Sequence, residues 1–180
     1  MSRKIYYRFS AFCSIYGFFE KSSPCGCPGW RCPGTGLWPL ALARQGRRVM
    51  AVDVSDVGLA LLAGEIKKQD LGDIIELVTV DLVTWSAPRS NFSLVMCSFY
   101  WDRTVFEYAH ELVMPGGYLI WEGFSPLHLK YKPDAKHTMR EGEPHSLLPV
   151  SFTIVECRDV DDGKSTVSRR LIARRESDAP

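Results

Sequence analysis

Three features of this 180-residue chain have residue types and spacing that suit ligand chemistry. Gly34-Thr35-Gly36 precedes a helix-compatible stretch, Asp53 closes a β-branched run 17 residues after Gly36, and Asp81 closes the next such run. Glycines let a ligand approach the backbone where a helix begins. A carboxylate at the tip of the following strand has two acceptor oxygens and no donor, which suits the neighbouring hydroxyls of a ribose. In a doubly wound sheet such features meet outside the carboxyl ends of the strands, where strand order reverses. The chemistry implied is the holding of a nucleoside-containing cofactor.

The elements that must position these residues follow from periodicity. Residues 37–45 read as a short helix, with Pro39 in its first turn and Gly46 at its end. A strand over 48–53 follows, then a helix capped by Ser55 or Asp56 and running to Lys67-Lys68. Residues 74–80 and 92–98 read as strands, 103–113 as a helix stopped by Met114-Pro115-Gly116-Gly117, and 118–122 as another strand. Residues 124–149 lose periodicity and gather four prolines with His128, His137 and His145, the pattern of an inserted loop. Runs at 150–157 and 165–173, joined through Asp161-Asp162-Gly163, read as a hairpin. Strands alternating with helices make the class α/β, with a mostly parallel sheet and a C-terminal antiparallel hairpin.

Composition divides the chain. Residues 1–50 hold eight Lys/Arg against the single acid Glu20, whereas 51–180 hold 14 bases and 20 acids. The overall charge of +1 argues against nucleic-acid binding by bulk charge, and no apolar run reaches the length of a membrane span. Four of the six cysteines also lie in the first 32 residues. Met1 to Glu20 is aromatic and basic, but Arg8, Ser10 and Ser14 interrupt any secretory core, and a transit peptide fits only slightly better. Residues 1–33 are therefore expected to be an atypical, poorly ordered leader, 34–176 one domain and 177–180 a tail.

With these residues in place, the chain resembles the class I S-adenosylmethionine-dependent methyltransferases, and within them the small tellurite-resistance-type subgroup. The resemblance covers residues 34–175. It is carried by 34–46 with 49–55, by Val80-Asp81-Leu82, by Phe99-Tyr100-Trp101-Asp102-Arg103, and by Met114-Pro115-Gly116-Gly117 with the strand after it. The resemblance implies a seven-stranded Rossmann-like sheet and S-adenosylmethionine as cofactor. By it Gly34, Thr35 and Gly36 flank the methionyl part, Asp53 and Val54 hold the ribose, Asp81 and Leu82 border the adenine, and Cys97, Ser98 and Phe99 lie under the sulfonium. It also implies methyl transfer to a small-molecule acceptor by in-line displacement, which asks for positioning more than for an acid and a base. No catalytic residue is assigned on this basis.

The resemblance fails at the first strand. Trp30 stands where an acid belongs and Cys32 where the first glycine belongs, behind a Pro- and Gly-rich run without strand propensity. The first strand is thus expected to be degenerate or missing. Either a frameshift, mis-splice or mispredicted start has replaced the native N-terminus, or the protein has diverged into a methyltransferase-like scaffold without cofactor binding. A dinucleotide-binding Rossmann protein is the weaker reading, because Pro39 occupies the position of the third glycine.

Other candidates have plainer readings. Cys25, Cys27 and Cys32 lack the paired spacing of a zinc site, so no metal is expected and the thiols fit a reducing, cytoplasmic setting. The loop histidines are expected to be solvated, and His110 structural. Tyr100, Trp101 and Tyr131 either wall a substrate pocket or pack as ordinary aromatics. Arg169-Arg170 and Arg174-Arg175 are expected on a solvated strand edge. The expected partners are a small-molecule substrate only, with no nucleic acid and no membrane, for a monomer or homodimer.

Overall fold

The computed structural model describes residues 37–87 and 91–177. The expectations for the 1–33 leader, for Gly34, Thr35 and Gly36, and for the first strand lie outside these residues.

Helix α1 (Leu37–Ala43) leads into β1 (Val49–Asp53). Gly46 turns the chain between them at φ +76°, the left-handed conformation that glycine adopts without a steric cost. Helix α2 (Asp56–Lys68) starts at Ser55, whose hydroxyl accepts the Gly58 N–H at 3.1 Å, and Lys67-Lys68 lie in its last turn, where helix-terminal carbonyls favour positive charge. The chain continues through β2 (Ile75–Thr79), β3 (Phe92–Ser98), α3 (Arg103–Glu111), β4 (Val113–Phe124), β5 (Phe152–Asp161) and β6 (Val167–Arg175). Among the described residues no helix is long and apolar enough to cross a membrane.

Met114 to Gly117 does not end the helix as the sequence suggested. Leu112 already caps α3, and the four residues bulge out of β4, whose pairing with β3 jumps from Phe92–Val113 to Leu94–Tyr118. A Cβ on Gly117 would come within 2.9 Å of the Met114 carbonyl oxygen and 3.1 Å of that of Ser93, so the bulge closes only over glycine.

The described strands form a parallel pair, β2-β1, and a four-stranded sheet of order β3-β4-β6-β5. β4 runs parallel to β3, while β6 runs antiparallel to both β4 and β5. The hairpin is therefore present, but its second strand inserts between β4 and the first. One buried cluster takes Met50, Val52 and Leu82 together with Val95, Cys97, Trp101 and α3. The other takes Val49 and Ala51 with α1, α2 and Met96. β1 is buried along its whole length because it contributes to both clusters, as parallel strands covered on two faces do.

Candidate functional site

Asp53 ends β1 as the fifth of five buried residues and is only 2% exposed. Its Oδ1 accepts the Ser55 N–H at 2.8 Å, while Oδ2 is buried without a hydrogen-bond partner. Burial pushes the Asp53 carboxyl above its ordinary pKa, and the backbone N–H groups of Ser55 and Val54 pull partly against this. A buried polar atom left unpaired costs about 1–3 kcal/mol, more when charged. This unpaired oxygen stands at the carboxyl end of β1, and a buried group left without a partner calls for an explanation that packing does not supply.

Asp81 is brought close to Asp53, since the Val80 N–H donates to the Asp53 carbonyl at 3.0 Å. Its Oδ1 accepts the Val83 N–H at 3.0 Å and its carbonyl accepts the Thr84 N–H at 3.2 Å, closing a turn. Asp81 itself is exposed, Leu82 is buried in the core, and Val54 and Val83 present apolar surface beside the two acids.

At the end of β3 the three predicted residues divide. Cys97 is fully buried and its thiol meets the Tyr100 carbonyl at 3.8 Å, so its side chain faces the α3 side of the sheet. Ser98 is half-buried and lines a cavity on the opposite, α1 side. Phe99 has φ +57°, a conformation that is strained for a bulky residue and costs on the order of 1–3 kcal/mol. It is held there by its N–H bond to the Glu122 carbonyl at 2.6 Å and by a tilted contact, 5.7 Å between centroids, with Phe124.

The aromatic candidates also separate. Trp101 is buried against Phe106 and Trp121, and the Tyr100 carbonyl accepts the Trp121 indole N–H at 2.9 Å, so both residues belong to the core. Tyr131 is exposed and donates to Asp161, which also pairs with Lys130.

Two expectations are corrected. His128 is buried, not solvated: it stacks on Phe124 at 4.3 Å, and its Nδ1 accepts the Val167 N–H at 3.3 Å. An imidazole that accepts there is neutral, and burial lowers its pKa accordingly. The paired arginines are not on an edge, because β6 is interior. Arg169 is buried and grips Asp159 with two bonds of 2.7 and 2.9 Å, while Arg170 donates to Glu122 at 2.8 Å. The other predicted loop histidines, His137 and His145, are exposed, and His110 packs edge-on to Phe106 and Phe152.

The cavity beside Ser98 was not foreseen. Trp38, Met96, Ile120 and Ile172 give it apolar surface, and Glu122, Glu156, Arg158 and Arg170 give it charge. Glu122 was legible as another acid near a strand end, like Asp53. The arginines were not, because nothing local says that β6 lies next to β4. Among the described residues no group of three or more His, Cys, Asp or Glu side chains gathers as a metal site would need.

Comparison with known proteins agrees with this architecture. The family described as a methyltransferase domain matches residues 32–117. No curated protein sequence matches. Among solved structures, the chain is similar to the S-adenosylmethionine-dependent methyltransferase of Methanosarcina mazei, with 19% identity over 77% of this chain and 87% of that one and a TM-score of 0.60. It is similar to the N-methyltransferase NodS of Bradyrhizobium japonicum, with 16% identity over 72% and 74% and a TM-score of 0.58. It is also similar to the [4+2]-cyclase SpnF, with 15% identity over 81% and 73% and a TM-score of 0.62. The fold is therefore the Rossmann-like class I methyltransferase fold. The cyclase in this company shows that the architecture alone does not fix the reaction.

Proposed function

We propose that the chain transfers the methyl group of S-adenosylmethionine to a small-molecule acceptor. The observation that carries this reading is the buried, unpaired Oδ2 of Asp53 at the carboxyl end of β1. A ribose hydroxyl is the partner such an oxygen lacks. The methyltransferase-domain match and the likeness to NodS, also solved with S-adenosyl-l-homocysteine, support the choice of cofactor.

When bound, the cofactor would supply an electrophilic methyl group on a sulfonium whose leaving group is a neutral thioether. The residues of this chain bind and orient. Asp53 accepts from the ribose beside the exposed Val54, and Asp81 borders the adenine with Leu82 packed beneath it. Ser98 and Phe99 border the methyl, and Cys97 supports them from the core. Gly34, Thr35 and Gly36 hold the methionyl part in this reading. The resemblance to the tellurite-resistance-type subgroup extends it to a small soft acceptor, such as a thiol or a metalloid oxyanion.

A second reading keeps the scaffold without the cofactor, and it rests on Trp30 and Cys32 standing where an acid and a glycine are expected. Titration calorimetry with S-adenosylmethionine separates the two. Saturable binding, weakened at least tenfold by Asp53→Ala, supports methyl transfer, whereas no heat at millimolar cofactor overturns it.

A further inference from the structure

Ser98 of β3 pairs with Glu122 of β4, Glu122 with Arg170 of β6, and Arg170 with Arg158 of β5. Residues paired directly across a sheet share a face, so these four form one polar row across the cavity described above. In the row beside it, Met96, Ile120 and Ile172 are apolar, and Glu156 of β5 closes the row at the Arg158 end.

Two guanidiniums opposite each other on neighbouring strands repel, yet this sheet sets Arg158 directly against Arg170. Each is steadied by one carboxylate through Nε alone: Arg170 by Glu122 at 2.8 Å and Arg158 by Glu156 at 2.6 Å. Among the described residues nothing engages the terminal nitrogens of either fork. Arg169 shows what a structural arginine does in the same strand. It spends Nε and one terminal nitrogen on Asp159 and gives the other to the Glu143 carbonyl at 2.9 Å. Arg174, over the Tyr118 ring on the cavity face, adds a further positive charge. A guanidinium fork matches the paired oxygens of a carboxylate or phosphate.

We propose that Arg158 and Arg170 bind the anionic group of the methyl acceptor, a carboxylate or phosphate, while its apolar body lies along Ile120 and Ile172 and its nucleophilic atom reaches Ser98. This rests on the methyl-transfer reading above. Strands lie about 4.8 Å apart, so an anion on Arg170 sits roughly 10 Å from the Ser98 end, which sets the span of the acceptor. Such a substrate is an amphiphile with its anion at one end and its nucleophile at the other.

The test is calorimetric binding to the full chain of 3-phenylpropanoate, its neutral amide and 2-phenylethyl phosphate, with S-adenosylmethionine titrated in parallel. We expect one of the two anions to bind at least tenfold more tightly than the amide, and Arg158→Gln to abolish that preference with the circular dichroism unchanged. The preferred anion identifies the acceptor's group. Arg170→Gln should act likewise, and Arg158, the more exposed of the two, carries the test if loss of Arg170 unfolds the chain. Equal binding of amide and anions, or a preference that survives Arg158→Gln, overturns the proposal. Anion preference without S-adenosylmethionine binding would instead leave the anion site standing and remove the methyl-transfer reading.

Discussion

The two faces of the four-stranded sheet are built from alternating residues of the same strands and are put to different use. On the α3 face, Cys97, Leu119, Trp121 and Leu171 are 0% exposed, and Trp121 meets Trp101 and Phe106 in edge-on contacts. On the α1 face, Ser98, Ile120, Glu122, Arg170 and Ile172 are all only half-buried around a cavity. Neighbouring residues of β6 follow the division, since Arg169 is fully engaged and Arg170 is engaged only at Nε. A packed face holds the sheet's shape, and the looser face is free to recognise a ligand.

The contrast can be broken most severely from the packed face. Trp121→Ala removes the largest fully buried side chain and the indole bond to Tyr100, and should cost about 3–5 kcal/mol in urea denaturation. Arg169→Gln unpairs Asp159, which lies mostly buried, and should cost about 2 kcal/mol, whereas Arg158→Gln should stay within about 0.5 kcal/mol. Equal losses at Arg169 and Arg158 would erase the distinction. The Arg169 guanidinium also holds the Asp159 carboxyl below its ordinary pKa of 3.8. The stability this adds is present above pH 3.8 and is lost as pH falls through the lower folded value, so Arg169→Gln should flatten that acid limb.

Asp53 tests the contrast at the ligand end of β1. Asp53→Asn should weaken S-adenosylmethionine binding at least tenfold, about 1.4 kcal/mol, while leaving the melting temperature at pH 7 unchanged or raised. The sign follows from its pKa, raised by burial: the folded state holds the proton longer than the unfolded one, so stability falls as pH rises from 3.8 through the folded value. An amide does not titrate, and the variant should lose that slope. A large drop in melting temperature would make Asp53 structural. The smallest effect belongs to the hairpin turn, where the N–H groups of Ser165, Lys164 and Thr166 hold Asp162 down to about 2. Asp162→Ala should remove a slight acid sensitivity between pH 3.8 and about 2, visible as a shift in the low-pH midpoint.

How far the site was legible follows the range of the interactions. Ser55 caps α2 through a contact three residues away, and the hairpin announces itself in Asp161-Asp162-Gly163. Asp53 was visible because a β-branched run ending in an acid is a local pattern. The Met114 to Gly117 bulge was misread as a helix stop, since proline and glycine break a helix and interrupt a strand alike. His128 was misplaced because its partner, Val167, is 39 residues away.

By itself the sequence determined the class, the order of elements, the caps and turns, and the acids at the ends of β1 and β2, because each depends on propensity and periodicity within a few residues. Only the tertiary structure decided that β6 enters between β4 and β5. That insertion buries Arg169 against Asp159 and sets Arg170 between Glu122 and Arg158. Strand order is settled by which long-range pairings bury the most surface and satisfy the most charge, and no short window of sequence carries that information.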